Sequence, residues 1–460
     1  MKNIKIIFAL LLLMCCSFSP VSAKPKKEDD SYKIQYMNYD WWQTYKDETL
    51  VNYMQQAYKY NQDLKISALK TKQAEQVVKQ SFATELPHLS FYGDLYRDFS
   101  ASDVRFGDVI IHDYNQSNFV LPLTMTYEAD IWGENHLKTK SLKKQVEIMK
   151  QDERATYISL TSAIASQYYN LIKLDELIKA QEQLVKLQKE IAELTTVKYH
   201  NGLCPLPELL AEKQVATQFE EVLNIYINQR DTVVRELIVL IGDRNLTNVN
   251  RKNYSTVIMP QIPSSIAAEC IQNRPDLQKT EDYIQKIGID VKVARRDFLP
   301  KFTIYGQAGF NAYSLSNIFG NHTFKSLAGI MPSLDLFTGG AKMAHLRYSK
   351  MEYEKAQQMY EKTILTSLQE VNDSLSSAIK SKKNYDMSLE RNNLEKDKYQ
   401  LTIQKQTIGA LSELDRLKAQ EWLLMSEKEE ASNKINYIIS TINMYKAVGG
   451  TDYMKYSENI

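Results

Sequence analysis

The sequence predicts a mainly α-helical chain of two pseudo-repeats that also carries four strands of a transmembrane β-barrel, which a trimer closes. Three observations predict this fold class: two long stretches without glycine or proline, an internal repeat, and four segments of alternating apolar and polar residues. The 460 residues include 57 Lys and Arg against 56 Asp and Glu, which excludes a generally basic nucleic-acid binder. A mean hydropathy of −0.41 excludes a bundle of membrane-spanning helices.

The N-terminus has the pattern of a secretory signal peptide. Lys2 and Lys5 precede an apolar run, and Val21-Ser22-Ala23 offers a small-x-small cleavage site. We therefore predict residues 1–23 as a signal peptide and residues 24–45 as an extended segment of the mature chain.

The cysteines fall into two groups. Cys15 and Cys16 lie near the end of the apolar run, and either could carry lipid if the signal belongs to a lipoprotein. The residues before them are not the small residue that a lipoprotein signal normally has there, which favours the unlipidated cut. Cys204 and Cys270 could pair in an oxidising periplasm. Because they lie in unrelated sequence contexts, we predict two unpaired thiols.

The positions of glycine and proline predict the helices. Neither residue occurs from Glu134 to Asn201 or from Ala341 to Ile408, and each stretch could form one helix about 100 Å long. Shorter stretches of the same kind run from Glu208 to Ile241 and from Ala410 to Val448. Apolar residues recur along them at spacings typical of coiled-coil packing, so we predict a long helical body.

The chain also contains a duplication. Motifs of the first half recur in the second: Asn61–Leu64 with Arg274–Leu277, Leu86-Pro87 with Leu299-Pro300, and Gly202 with Gly409. A period of about 207 residues indicates two pseudo-symmetric halves, not a solenoid. We predict a first repeat at 46–250, a second at 251–450 and a C-terminal tail at 451–460.

Between the helical stretches the periodicity changes to two. We predict strands at about 88–99, 117–130, 301–312 and 326–337, each long enough to cross a bilayer when tilted. Four strands cannot close a barrel, and open strand edges are not tolerated in lipid. Three chains would give twelve strands, whereas the lumen of an eight-stranded dimer is filled by side chains, so a trimer is favoured. The alternative is an ordinary antiparallel sheet with one wet face.

The sequence lacks the motifs of common active sites. It has no Walker-type Gly-Lys-Ser/Thr, no His-Glu-x-x-His and no Cys-x-x-Cys, and its six histidines are scattered. We therefore predict no enzymatic activity, no cofactor and no metal site.

Several longer motifs point to a known family. They are Asp40-Trp41-Trp42, Asn273-Arg274-Pro275-Asp276-Leu277, Ala294-Arg295-Arg296-Asp297-Phe298-Leu299-Pro300, Gln369-Glu370-Val371-Asn372-Asp373 and Tyr445-Lys446-Ala447-Val448-Gly449-Gly450. In order and spacing, from about Asp40 to Gly450, the chain resembles the outer membrane factors, the TolC-type and NodT-like lipoprotein channels of RND efflux systems.

The resemblance implies a fold, a location and partners. We expect a homotrimer whose twelve-stranded barrel crosses the outer membrane, with a long α-helical barrel in the periplasm closed by helical hairpins. The implied function is the passive exit duct of a tripartite efflux pump that carries drugs or other toxic small molecules. A periplasmic adaptor and an inner-membrane RND or ABC pump would be its partners, with outer-membrane lipid around the barrel and no nucleic acid. The alternatives are a type I secretion channel and a non-channel periplasmic coiled-coil scaffold.

The resemblance also assigns the hairpin tips. The turns fall at 199–202 and 406–409, and in the family these tips meet the adaptor; the residues concerned here are Tyr199, Gly202, Ile408 and Gly409. Gly202 and Gly409 supply the backbone freedom that a tight turn between helices needs.

Acidic residues just beyond the tip glycines often line the narrowest ring in this family. Glu208 and Asp415 each lie six residues after their glycine. In a trimer they would place carboxylates near the axis and favour cations. Lys418 stands where some relatives carry a second acid, and it could pair with Asp415 at i, i+3. The alternative is that these are ordinary solvated charges at a helix end.

Overall fold

The computed structural model describes residues 38–99, 104–111 and 115–456. The predicted signal peptide at 1–23, with Cys15 and Cys16, lies outside these ranges. Within them, no α-helix combines the length and the apolar character that a membrane span requires.

The described part of the segment expected to be extended is partly helical, so that prediction is wrong there. Helix α1 (Tyr39–Gln43) begins at Asn38, whose side chain accepts a hydrogen bond from the Trp41 backbone N at 3.3 Å. The Trp41 ring stacks on Tyr445, with 3.9 Å between the ring centroids, and Trp42 is fully buried. A helical turn packs these large aromatic rings together against the end of the chain, which an extended segment would not do.

The remaining elements follow the predicted order. The first half contains α2 (Glu48–Tyr60), α3 (Gln62–Ala83), β1 (His88–Phe91), β2 (Asp94–Phe99), β3 (Val104–Phe106), β4 (Val109–Ile111), β5 (Asn115–Ala129), α4 (Glu134–His200) and α5 (Leu206–Ile241). The second contains α6 (Pro275–Arg296), β6 (Lys301–Ala312), β7 (Phe324–Ser333), α7 (Ala341–Thr407) and α8 (Glu413–Ala447). Short 3-10 helices, among them Tyr453–Tyr456 in the expected C-terminal tail, connect or follow these elements.

The four predicted strand segments form one antiparallel sheet, with two differences from the prediction. The first segment is interrupted at Tyr92 and Gly93, and its two pieces, β1 and β2, both pair with β5. The last strand ends at Ser333 instead of 337, because Ser333 pairs with Lys301, the first residue of β6, and later residues have no partner strand there. The loop after β2 also contains the small β3–β4 hairpin, which the sequence did not indicate.

The sheet has two chemically different faces. Strand β5 pairs with β6, and β6 with β7, so that Leu123 lies opposite Ala308 and Ile304 opposite Ile330. One face is apolar, and its members include Leu89, Phe91, Leu95, Phe119, Leu121, Phe302, Phe310 and Phe324. The other face is mostly polar, and its members include Ser90, Thr124, Thr126, Glu128, Thr303, Gln307, Asn311 and Lys325. Residue 309 must be glycine here, because a Cβ would lie 2.3 Å from the Leu121 carbonyl oxygen.

The helices form a layer below the sheet, in which α4 contacts α3 and α6, and α6 contacts α7. Helices α5 and α8 return along α4 and α7 and complete two long hairpins. Leu184, Leu187 and Ile191 of α4, which recur at coiled-coil spacing, are buried in a core that also contains Leu417 and Leu424 of α8. This core joins the two hairpins near their tips.

The repeated motif acts in the same way in both halves. The Asn61 Nδ2 donates to the carbonyl of Leu240, in the last turn of α5, at 2.7 Å. Arg274, its counterpart, donates through a guanidinium nitrogen to the carbonyl of Ala447, at the end of α8, at 2.6 Å. These side chains satisfy carbonyl groups that a helix end leaves unpaired.

Candidate functional site at the hairpin tips

The first tip is a glycine-terminated helix end. Gly202 has a φ of +68°, its N donates to the Tyr199 carbonyl at 3.0 Å, and the Leu203 N donates to the Lys198 carbonyl at 2.8 Å. This is the Schellman pattern, which needs a left-handed residue at the turn. Leu203, the next residue, is 74% exposed, so the tip presents an apolar side chain to solvent.

The second tip repeats this geometry. Gly409 has a φ of +79°, its N donates to the Gln406 carbonyl at 2.9 Å, and the Ala410 N donates to the Lys405 carbonyl at 2.8 Å. Ile408 is 79% exposed. The structure therefore places the tip residues named above at two matching turns, each with an exposed aliphatic residue beside the glycine.

The two candidate gate carboxylates occupy different environments. Asp415 forms a capping box with Ser412: its Oδ2 accepts from the Ser412 hydroxyl at 2.6 Å and from the Ser412 backbone N at 2.9 Å. These hydrogen bonds, first that from the hydroxyl, lower the pKa of Asp415 below its usual range, with smaller help from Lys198 and Lys418. Asp415 thus stays ionised and also holds the start of α8.

Glu208 lacks this local support. Its helix starts at Pro205, which has no side-chain acceptor and makes no side-chain capping hydrogen bond. The Glu208 backbone N donates to the Pro205 carbonyl at 3.1 Å, and the side chain is exposed. Among the described residues no ion pair or side-chain hydrogen bond holds its carboxylate. The Glu208 carboxylate is therefore free to change its orientation in solvent.

Lys418 does not make the expected ion pair with Asp415. Its Nζ lies 3.3 Å from Glu212 Oε1, on helix α5 of the other hairpin. Lys418 contacts Glu212 instead of Asp415 for two reasons. Asp415 is already hydrogen-bonded to Ser412, and Leu417 is buried in the core that brings α8 close to the first hairpin. Lys418 thus links the hairpins instead of stabilising its own helix.

Sequence reasoning missed a second acid in this region. Glu421, one turn beyond Lys418, is partly buried, and burial raises its pKa. The nearby Glu212 raises the pKa further, while a hydrogen bond with Gln188 and the charge of Lys418 lower it. Gln188 is itself buried, and its Oε1 has no hydrogen-bond partner within the described ranges. The spacing of Glu421 three residues after Lys418 could have indicated that both face the first hairpin.

The two cysteines of the described chain are free thiols, as predicted. Cys204 lies in the first tip, with its Sγ 3.6 Å from the Thr195 carbonyl. Cys270 is buried far along the chain, before α6, where burial raises the pKa of its thiol.

Comparison with known proteins places this architecture. The family described as "outer membrane efflux protein" matches residues 53–243 and 267–450. A probable efflux pump outer membrane protein of Pseudomonas putida, TtgC, is 25% identical over 418 residues, covering 90% of this chain and 85% of that protein. The cation efflux system protein CusC of Escherichia coli O157:H7 is 21% identical, covering 90% of this chain and 89% of its own length.

A solved structure agrees with the fold. The Campylobacter jejuni CmeC outer membrane channel superposes with a TM-score of 0.82 over 91% of this chain and 90% of that one, at 22% sequence identity. Since the family match covers most of both halves, the chain belongs to the outer membrane efflux protein family.

Proposed function

We propose that this chain forms the passive outer-membrane exit duct of a tripartite efflux pump. The observation that carries the proposal is the sheet: one face is apolar, the other mostly polar, and the strands continue into helices of 67 residues, each about 100 Å long. A closed barrel of such strands would present the apolar face to lipid and the polar face to a wet lumen.

Closure of the barrel requires other copies of the chain. Within the described residues, β1 and β2 at one edge of the sheet and β7 at the other have no further strand partner, and such edges cannot stand in lipid. The outer helices carry exposed apolar residues at the same two edges: Ile66, Leu69 and Val77 on α3, and Tyr348, Met351 and Leu365 on α7. A homotrimer that joins these edges would give twelve strands.

The other end of the duct would meet the rest of the pump. The exposed Leu203 and Ile408 support the proposal that the tips, with Tyr199, Gly202 and Gly409, bind a periplasmic adaptor linked to an inner-membrane RND or ABC pump. That pump would supply the energy. Relatives are named for toluene, antibiotic and cation efflux, and we propose small toxic molecules as the cargo here.

The gate would lie just inside the tips. Glu208 and Asp415 from three chains would surround the axis with up to six carboxylates and favour cations. The Asp415 carboxylate is hydrogen-bonded to Ser412, whereas the Glu208 carboxylate is exposed. This difference supports a division of roles, in which Asp415 stabilises the start of α8 and Glu208 supplies a mobile charge.

Single-channel conductance in a planar bilayer tests the proposal, with native mass as the measure of assembly. We expect a trimer with discrete, cation-preferring openings, and a pump-deficient strain that regains tolerance to toxic compounds when the chain and its pump are supplied. A monomer that never inserts would instead favour a periplasmic scaffold, and restored export of a protein without tolerance would favour type I secretion.

A further inference from the structure

An open groove lined by cations lies between α4, α6 and α7, close to the strands. Its volume is about 610 Å³. Its charged lining residues are Lys140, Lys144, Lys292, Arg295, Lys350 and Glu354. All three helices belong to one chain, so a single copy builds the groove.

Most of this positive charge is not neutralised. Lys144 pairs with Asp282 at 3.0 Å, but the other four cations have no ion-pair partner among the described residues. Lys292 and Arg295 are exposed, and Glu354 is the one carboxylate among the described residues that line the groove. Chains usually intersperse charges of both signs on helix surfaces, so four unpaired cations around one concavity indicate an anionic ligand.

The groove opens on the side of the apolar sheet face. Gly288 lines the groove. Asp297 lies nine residues later, which is two and a half helical turns, so it lies on the opposite side of α6. Asp297 is 3.7 Å from Lys301 Nζ, and the strand register places Lys301 on the polar face of the sheet. The groove therefore faces away from the proposed lumen.

The cations of the groove lie near the ends of their helices that adjoin the strands. Arg295 is next to the last residue of α6, whereas Lys140 and Lys350 lie about 9 Å and about 14 Å along α4 and α7 from their starts. Between the helices and the strands, Ile131, Leu336 and Phe337 are exposed, the last two at 90%. Exposed apolar and aromatic residues followed by cations match the order of layers at a membrane interface.

We propose that this groove binds the phosphodiester headgroup of an anionic phospholipid from the periplasmic leaflet of the outer membrane. Lys and Arg side chains bind phosphate through charge-assisted hydrogen bonds, and basic clusters beside a membrane select anionic lipids. The proposal rests on the outer-membrane position of the barrel argued above, but not on the gate or the cargo.

Native mass spectrometry of the detergent-purified protein with added phosphatidylglycerol or phosphatidylethanolamine tests it. We expect the wild type to retain phosphatidylglycerol preferentially. The triple variant Lys292→Gln, Arg295→Gln, Lys350→Gln should lose this preference, by roughly fivefold in affinity for each cation. The control removes three exposed lysines without ion-pair partners in the described chain, Lys362, Lys380 and Lys396, from α7 farther from the strands, and should behave like the wild type.

Three outcomes would overturn the proposal. These are equal retention of both lipids by the wild type, unchanged phosphatidylglycerol retention by the triple variant, and binding of inorganic phosphate without binding of the lipid. If the triple variant fails to assemble, the wild type alone tests the proposal. Its preference for phosphatidylglycerol must decrease when the salt concentration is raised from 50 to 500 mM, because salt screens the cations. Conductance of the same samples distinguishes failure of this proposal from failure of the duct proposal. A conducting trimer without lipid preference would refute lipid binding in the groove but not the duct.

Discussion

Lys418 Nζ lies 3.3 Å from Glu212 Oε1, so an ion pair joins α8 of the second hairpin to α5 of the first, close to both tips. The lysine is half exposed and the glutamate is mostly covered. An exposed pair of this kind contributes less than about 1 kcal/mol to the free energy of unfolding. Its importance lies in its position, because it ties α8 to α5 beside the proposed gate.

If the tips form the proposed gate, removing this link should loosen them without unfolding the chain. We expect Lys418→Gln and Glu212→Gln each to increase the closed-state conductance in a planar bilayer, with a change in melting temperature of only a few degrees. The double variant should add little to either single one, since both remove the same pair. Lys405→Gln, an exposed lysine near the second tip, is the charge control. If the two single variants and the double variant all leak no more than the wild type, the Lys418–Glu212 pair does not hold the tips together.

The two candidate gate carboxylates, Glu208 and Asp415, should respond differently to truncation. Asp415→Ala removes the aspartate half of the capping box and should cost roughly 0.5–1 kcal/mol of unfolding free energy as well as cation preference. Glu208→Ala removes an exposed carboxylate without a cap and should change cation preference alone. Reversal potentials in a salt gradient and denaturant unfolding measure the two effects. Unchanged selectivity in the double variant would mean that these are ordinary solvated charges.

Replacing Glu421 should stabilise the chain at neutral pH. Because burial raises the pKa of Glu421 above 4.5, the folded chain keeps this proton at pH values where the unfolded chain has lost it. Stability therefore falls as the pH rises from 4.5 toward the raised pKa. Glu421→Gln removes this loss and gives Gln188 Oε1 a donor, so we expect a gain of about 1 kcal/mol at pH 7.

The pH dependence of this gain is the sharper test. The part that comes from the raised pKa of Glu421 should disappear below pH 4.5, where the wild-type carboxyl is protonated in both states. Unfolding curves at pH 7 and pH 4 measure the difference, with the exposed Glu193→Gln on α4 as control. A gain that is equal at both pH values would show that the hydrogen bond alone is responsible.

Arg274 should be the most sensitive position of the repeated motif. Its side chain is 8% exposed and donates two hydrogen bonds to the Asp276 carboxylate. It also donates to Glu370 and to the Ala447 carbonyl. We expect Arg274→Ala to lower the unfolding free energy by about 2 kcal/mol, because it removes the donor to the last carbonyl of α8 and the charge-assisted hydrogen bonds to Asp276.

A lysine at this position should rescue only part of the loss, since it lacks the planar fork of arginine. Asn61→Ala, the matched change in the first half, should cost less, because the amide there is neutral. Thermal unfolding of the three variants ranks them. An Arg274→Lys variant as stable as the wild type would show that the charge alone matters.

Local sequence periodicity predicted most of the secondary structure of this protein. The absence of glycine and proline gave the two long helices to within a residue, because helix formation depends on contacts three or four residues apart. Alternation located the four strand segments for the same reason, at a period of two. The small β3–β4 hairpin was missed, and the end of β7 depends on its pairing with Lys301, which the sequence of β7 does not contain.

The partners of side chains were decided only by the tertiary structure. The sequence offered Lys418 a neighbour at Asp415, yet the packing of Leu417 against α4 brings Glu212 closer, while Ser412 holds the aspartate. The helix α1 exists because Trp41 and Trp42 pack against Tyr445, about 400 residues away in the chain. The Lys418–Glu212 ion pair, the contacts of Trp41 and Trp42 with Tyr445, and the cationic groove join elements distant in sequence. Their energies depend on packing distances that no local pattern encodes.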